Sequence, residues 1–176
     1  MAAATADAER HYSAVGQRAM PEIMRAAREP DPGTALFHAM DEGLAQSPGH
    51  RLLTVLIYFR DRGESQRAYS SRPVEYPIGG RKTLGQAPRM REVLASGEAF
   101  FGRTRQDVID KFPDHRKLLG MGCESIINMP VFWGARVLGT VNLLHGEGHF
   151  AEADLPVIEA WAQLAAPAFV AAHLAR

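Results

Sequence analysis

Three side chains that hydrogen-bond without ionising, Asn128, Thr140 and Asn142, lie within two neighbouring apolar runs, Ser125 to Phe132 and Arg136 to Leu144. In a dry pocket, amides and a hydroxyl fix the orientation of a bound small molecule. Groups that could do harder chemistry are few. Cys123 is the single cysteine of the chain, which rules out an intramolecular disulfide and a cysteine-based structural metal site. It reads as a buried, inert thiol. Ser47, Ser70, Ser71 and Ser125 lack the context of a nucleophile elbow. His145 and His149 are four residues apart but flank Gly146-Glu147-Gly148 in a loop, and with His115 they supply no third ligand of matching spacing. Gly79-Gly80-Arg81-Lys82 could offer backbone N–H groups and cations to an anion. It has no strand–loop–helix setting, so a nucleoside triphosphate is not indicated, and a plain turn is the favoured account of it. No acid, base and nucleophile converge, so binding is expected and catalysis is not.

The elements that must position these groups follow from patterning. Residues 5–28 read as a helix with Tyr12, Val15, Ala19, Ile23 and Ala27 on one stripe, bent or divided at Pro21. After Pro30-Asp31-Pro32-Gly33, Thr34 can cap a second helix bearing Leu36, Phe37, Met40 and Leu44. Arg51 to Phe59 is apolar on both parities, as in a central strand buried on two faces. Asp61-Arg62-Gly63 is a turn, and Gln66 to Ser71 is a more polar strand nearer an edge. A short helix runs from Pro88 to Ser96 before Gly97, a short strand from Glu98 to Gly102, and Thr104 with Asp107 forms a capping pair. Asp114 can cap a continuation to Leu119. One long helix is expected from Asp154 to His173, with stripes Leu155, Ile158, Ala162, Ala165, Phe169, Ala172 and Val157, Trp161, Leu164, Ala168. Two apolar sides need two partners: the sheet, and either the N-terminal helix or a second subunit.

The hairpin register decides which groups share a face. A two-residue turn would scatter the polar residues over both faces. A three-residue turn through Trp133-Gly134-Ala135, with Gly134 at positive φ, sorts them. One face then holds Ile127, Met129, Val131, Val137, Gly139, Val141 and Leu143, and suits packed helices, Gly139 allowing close approach. The other holds Ile126, Asn128, Pro130, Leu138, Thr140, Asn142 and Leu144, and suits a small-ligand pocket. Asn128 and Asn142 bonding to a covering loop is an equally open reading. On the pocket reading, Asn128→Leu weakens binding while barely altering the fold.

Totals set the class. Lys+Arg and Asp+Glu are both 20, for a net charge of +0, so no electrostatic footprint suggests nucleic acid or an anionic membrane. The N-terminus lacks a secretory pattern, and no apolar stretch is read as reaching the roughly 20 residues that span a bilayer. A cytoplasmic protein is expected, of class α+β, with helices at both ends of antiparallel strands.

The hairpin and last helix resemble the GAF domain family. Gly122-Cys123-Glu124-Ser125-Ile126-Ile127-Asn128-Met129-Pro130-Val131 looks like its Ser-x-x-x-x-Pro-Val strand. Gly134-Ala135-Arg136-Val137-Leu138-Gly139-Thr140-Val141-Asn142-Leu143-Leu144 looks like the strand that follows, and Phe150-x-x-x-Asp154-Leu155 like the entry to the last helix. The resemblance spans roughly residues 34–172, and divides the chain into an N-terminal helix (1–30) and the domain proper (31–176). It implies a six-stranded or similar antiparallel sheet, helices of both termini on one face, and a pocket on the other. The loop from Tyr69 to Lys82 and the stretch from Arg103 to Leu119 would roof that pocket, making Tyr69, Tyr76, Arg81, Lys82, Phe101, Arg103 and His115 candidate walls beside Asn128, Thr140 and Asn142.

Members of the family bind cyclic nucleotides, bilins, haem, amino acids or 2-oxoacids, and a few are enzymes. Those that reduce free methionine sulfoxide use more than one cysteine and acidic pocket residues, whereas this chain has Cys123 alone and Ile126, Asn142 and Leu144 on the comparable face. Cys123 is not followed by the His usual at bilin attachment. Of the cyclic-nucleotide pattern Asn142, Phe150 and Asp154 match, while Leu143 and Leu155 replace its Lys and Glu. The expectation is a stand-alone, non-catalytic sensor of a small anionic or zwitterionic metabolite, homodimeric through its end helices, with no required cofactor. An enzyme or enzyme accessory using the same pocket, and a purely structural dimerisation module, are the competing readings.

Overall fold

The computed structural model describes residue 17, residues 19–86 and residues 88–175. Tyr12 and Val15 of the expected first stripe lie outside the described residues. In chain order the elements are α1 (residues 19–26), α2 (Pro32–Gln46), β1 (Leu52–Phe59), β2 (Glu64–Ser70), β3 (Arg81–Thr83), α3 (Pro88–Ser96), β4 (Phe100–Gly102), α4 (Arg105–Lys111), α5 (His115–Gly120), β5 (Ser125–Trp133), β6 (Arg136–His145), α6 (Leu155–Leu164) and α7 (Ala166–Leu174).

The strands form one six-stranded sheet in the order β3-β2-β1-β6-β5-β4, with every neighbouring pair antiparallel. β1 lies in the middle, which is why its sequence is apolar on both parities. Its odd residues Leu53, Val55, Ile57 and Phe59 join Ile127, Met129, Val131, Val141 and Leu143 in the main core beneath α2, α6 and α7. The even residues face the other way. Gly139 leaves no room for a side chain: a Cβ there would sit 2.0 Å from the Leu56 carbonyl of β1 and 2.8 Å from the Phe169 ring of α7.

Several local expectations are revised. Asp31, and not Thr34, caps α2, its carboxylate accepting from the Thr34 N–H at 3.2 Å. Gly79 to Lys82 is no mere loop, since Arg81–Thr83 pairs with β2 as an edge strand. The last helix divides at Ala165, because Pro167 in the first turn of α7 has no N–H to continue the ladder. The second partner of this helix pair is α2, whose Gly43 lies so close to Trp161 that a Cβ would fall 2.1 Å from the indole. The segment Glu152–Leu174 does have the length and hydropathy of a membrane-crossing helix, contrary to the sequence reading. Its apolar residues Ile158, Trp161, Ala162, Ala165, Ala168 and Phe169 instead belong to the core.

Candidate functional site

The face of the sheet opposite the terminal helices floors a partly enclosed cavity of about 150 Å³. Leu52, Thr54, Leu56 and Tyr58 of β1, Ile126 and Asn128 of β5, and Thr140, Asn142 and Leu144 of β6 line it. Asn128 stands opposite Asn142 across the β5–β6 ladder, so the expected grouping of polar residues is present. The turn that produces it is different. Trp133 pairs with Arg136 across a two-residue Gly134-Ala135 turn, with Gly134 at φ 58°, and the register shifts beyond Phe132. One extra residue on β6, Leu138, restores the parity that a three-residue turn would have set. Leu138 itself packs against the helix-side core and does not belong to the pocket face.

The floor carries a buried polar network. Asn128 Nδ2 donates to Asn142 Oδ1 at 2.6 Å, and Asn142 Nδ2 donates to Thr54 Oγ1 at 3.1 Å and to the Thr54 carbonyl at 3.4 Å. That carbonyl can only accept, which fixes the orientation of both amides. Asn128 Oδ1 is left buried and without a hydrogen-bond partner. Tyr58 OH and Thr140 Oγ1 form a second pair at 3.2 Å, and burial pushes the Tyr58 phenol well above its ordinary value.

Short segments roof the cavity. Arg89, Met90 and Val93 of α3 form one wall, and Phe112, Pro113 and Asp114, between α4 and α5, form another. The β2–β3 side supplies Tyr76, Arg81 and Lys82. Tyr76 OH donates to the Asp114 carboxylate, to which Lys82 Nζ also lies at 3.4 Å, so a single acid ties two roof segments together. Burial pushes the Asp114 carboxyl up, but the Tyr76 and Lys82 contacts outweigh it and hold the group below its ordinary value. Committed to that contact, Asp114 does not cap α5 with its side chain.

Of the ten residues singled out from the sequence, Tyr76, Arg81, Lys82, Asn128, Thr140 and Asn142 line the cavity. Four do not. Tyr69 lies on the helix side, donating to Asp41 Oδ2 at 2.7 Å. The cause is a bulge: Val55 pairs with Tyr69 but Leu56 with Arg67, leaving Ala68 as an extra residue that reverses the faces. Phe101 pairs with Ile127 and packs into the helix-side core, leaving Phe100 opposite Asn128. Arg103 lies over the Phe101 ring at 4.2 Å and ion-pairs with Glu152. His115 Nδ1 meets the Phe112 carbonyl at 2.9 Å outside the cavity.

Some lining residues were missed. Thr54 and Tyr58 share a parity on β1 and were legible as its only polar inward pair. Arg67 was not, because the bulge that turns it inward leaves no mark in the alternation. Its guanidinium stacks on Tyr76 at 3.9 Å and donates to the Pro77 carbonyl at 2.7 Å, while its Nε is buried and unpartnered. The cations chosen from sequence are already neutralised, Arg81 by Glu64 at 2.7 Å and Lys82 by Asp114. Cys123 is fully buried beside this cavity's own apolar cluster, and burial pushes its thiol up to about 11.

The sequence model of the GAF domain family matches residues 19–170. This chain belongs to the GAF domain family. No curated protein matches it. Solved GAF structures match over nearly the whole chain at low identity. The GAF domain of a phosphoenolpyruvate-protein phosphotransferase from Coxiella burnetii is 17% identical, with a TM-score of 0.68, covering 97% of this chain and 98% of that one. A free methionine-R-sulfoxide reductase from Neisseria meningitidis, in complex with its substrate, is 18% identical at TM-score 0.67, covering 94% and 93%. The phycocyanobilin-bound GAF domain of a cyanobacterial phytochrome is 16% identical at TM-score 0.67, covering 94% and 97%. Across such identities it is the fold that is shared, and GAF domains generally bind small molecules in signalling proteins.

Proposed function

We propose that this GAF domain is a non-catalytic sensor whose cavity takes a small anionic or zwitterionic metabolite, acting as a cytoplasmic regulatory homodimer. One observation carries the reading: a buried amide–hydroxyl network under a partly enclosed cavity ends on the unpartnered Asn128 Oδ1. A buried acceptor without a donor costs stability, and a ligand N–H or O–H would recover it. Relatives of the same fold hold a bilin and a sulfoxide substrate, which supports a binding role without naming this ligand. Against thiol catalysis stands Cys123, buried and held protonated at neutral pH. No cofactor is required by this reading.

Thermal-shift screening of amino acids, 2-oxoacids and cyclic nucleotides tests it. A saturable rise in melting temperature with one class is expected, since a ligand that binds only the native state stabilises it. A flat response across all three classes would sink the proposal.

A further inference from the structure

We infer that the ligand is a compact zwitterion of amino-acid size, its anionic group taken by Arg67 and its N–H donor by Asn128 Oδ1. This rests on the sensor reading above and narrows it.

Size is the first constraint. The cavity holds about 150 Å³, the volume of a dry site that accepts benzene, against roughly 300–1,000 Å³ for clefts that take drug-sized molecules. A cyclic nucleotide, a bilin or a haem is several times larger than benzene.

Charge is the second. Among the cavity-lining cations, Lys111 at the end of α4 is exposed to solvent, and Arg81, Lys82 and Arg89 each have a carboxylate partner. Half-buried Arg67 has none among the described residues; its guanidinium is held by a carbonyl and an aromatic face. Such a group is preorganised, and its charge is uncompensated at the margin of an apolar space. A carboxylate supplies the missing charge and can accept from the planar guanidinium in two places.

Polarity at the floor is the third. Asn128, 8% exposed, presents an acceptor whose own N–H is committed to Asn142. That acceptor selects a donor, which an ammonium supplies and a carboxylate does not. Leu56, Val93 and Met90, which line the same cavity, match a small aliphatic side chain.

The test is calorimetric titration of the full chain with the twenty common L-amino acids, each binder being compared with its two half-analogues. For L-valine these are 3-methylbutanoate, without the ammonium, and isobutylamine, without the carboxylate. At least one amino acid is expected to bind, with both halves at least tenfold weaker. Arg67→Gln should bring the amino acid down to the level of its amine and leave the amine unchanged, and Arg67→Lys should fall between. The half-analogue comparison on the native protein decides the matter even if Arg67→Gln fails to fold. Half-analogues as tight as the amino acid, an unaffected Arg67→Gln, or no amino-acid binding would each overturn the inference. If cyclic GMP or 2-oxoglutarate binds where amino acids do not, the sensor reading stands and the zwitterion falls. If nothing binds, both fall.

Discussion

Asn128 holds its neighbour as well as facing the cavity. Because its Nδ2 donates to Asn142 Oδ1, Asn128→Leu leaves a buried acceptor orphaned, despite the similar branched shape of the two side chains. A stability loss of about 1–3 kcal/mol is expected in urea denaturation. An unchanged midpoint would mean that the amide pair contributes nothing. His145 gives a second prediction at this scale. Burial lowers its pKa, as do nearby His149, Arg51 and His50, and its ring stacks on His149 at 3.4 Å. The folded value lies below the unfolded one, so the unfolded chain holds more protons in between. Stability is therefore full above the unfolded value of about 6.5 and is lost as pH falls through the folded value. Melting temperature should fall between about pH 7 and pH 5, and less steeply in His145→Asn, whose Oδ1 can still accept from the Gly146 N–H. Equal slopes for the two proteins would exclude His145 as the source.

Among the elements, two bulges decide what faces the cavity. The one at Leu138 compensates a short hairpin turn, and the one at Ala68 sends Tyr69 to α2 and Arg67 to the cavity. Patterning detected a pocket face on β5 and β6 because their alternation is regular over the relevant residues. On β2 it failed, since one extra residue exchanges the faces beyond it. The close approach of β1 to β6 gives the sharpest prediction here. Gly139→Ala forces a methyl group to within 2.0 Å of the Leu56 carbonyl, and backbone in the middle of a sheet cannot retreat. A loss of about 3 kcal/mol or more is expected. A variant that melts like the parent protein would show that β1 and β6 can separate.

For the whole molecule, α2 rather than a second subunit covers the doubly apolar α6–α7 pair, which removes the original motive for a dimer. A different one replaces it. Met20 and Met24 are 47% and 53% exposed one turn apart on α1, and Leu174 at the end of α7 is 78% exposed. A self-complementary contact through these helices would bury them. Sedimentation at tens of micromolar, roughly the range of a weak interface, should show dimer, and Met20→Glu with Met24→Glu should give monomer. Monomer in the parent protein would end the dimer proposal.

Burial periodicity and turn chemistry are local, so the sequence alone determined the buried central strand, the β5–β6 hairpin with Asn128, Thr140 and Asn142 on one face, and the Thr104–Asp107 cap; the pairing of Asn128 with Asn142 came from the bulge at Leu138. Apolar residues at period two can satisfy one face only, and glycine marks where the chain must turn. What only the tertiary structure decided were matters of meeting. It brought Thr54 beneath Asn142, stacked Arg67 on Tyr76, and spent Arg81 and Lys82 on Glu64 and Asp114. Each of these depends on a register shift or on a contact between segments distant in sequence. The energy of such a contact depends on which partner arrives, and no local pattern encodes that.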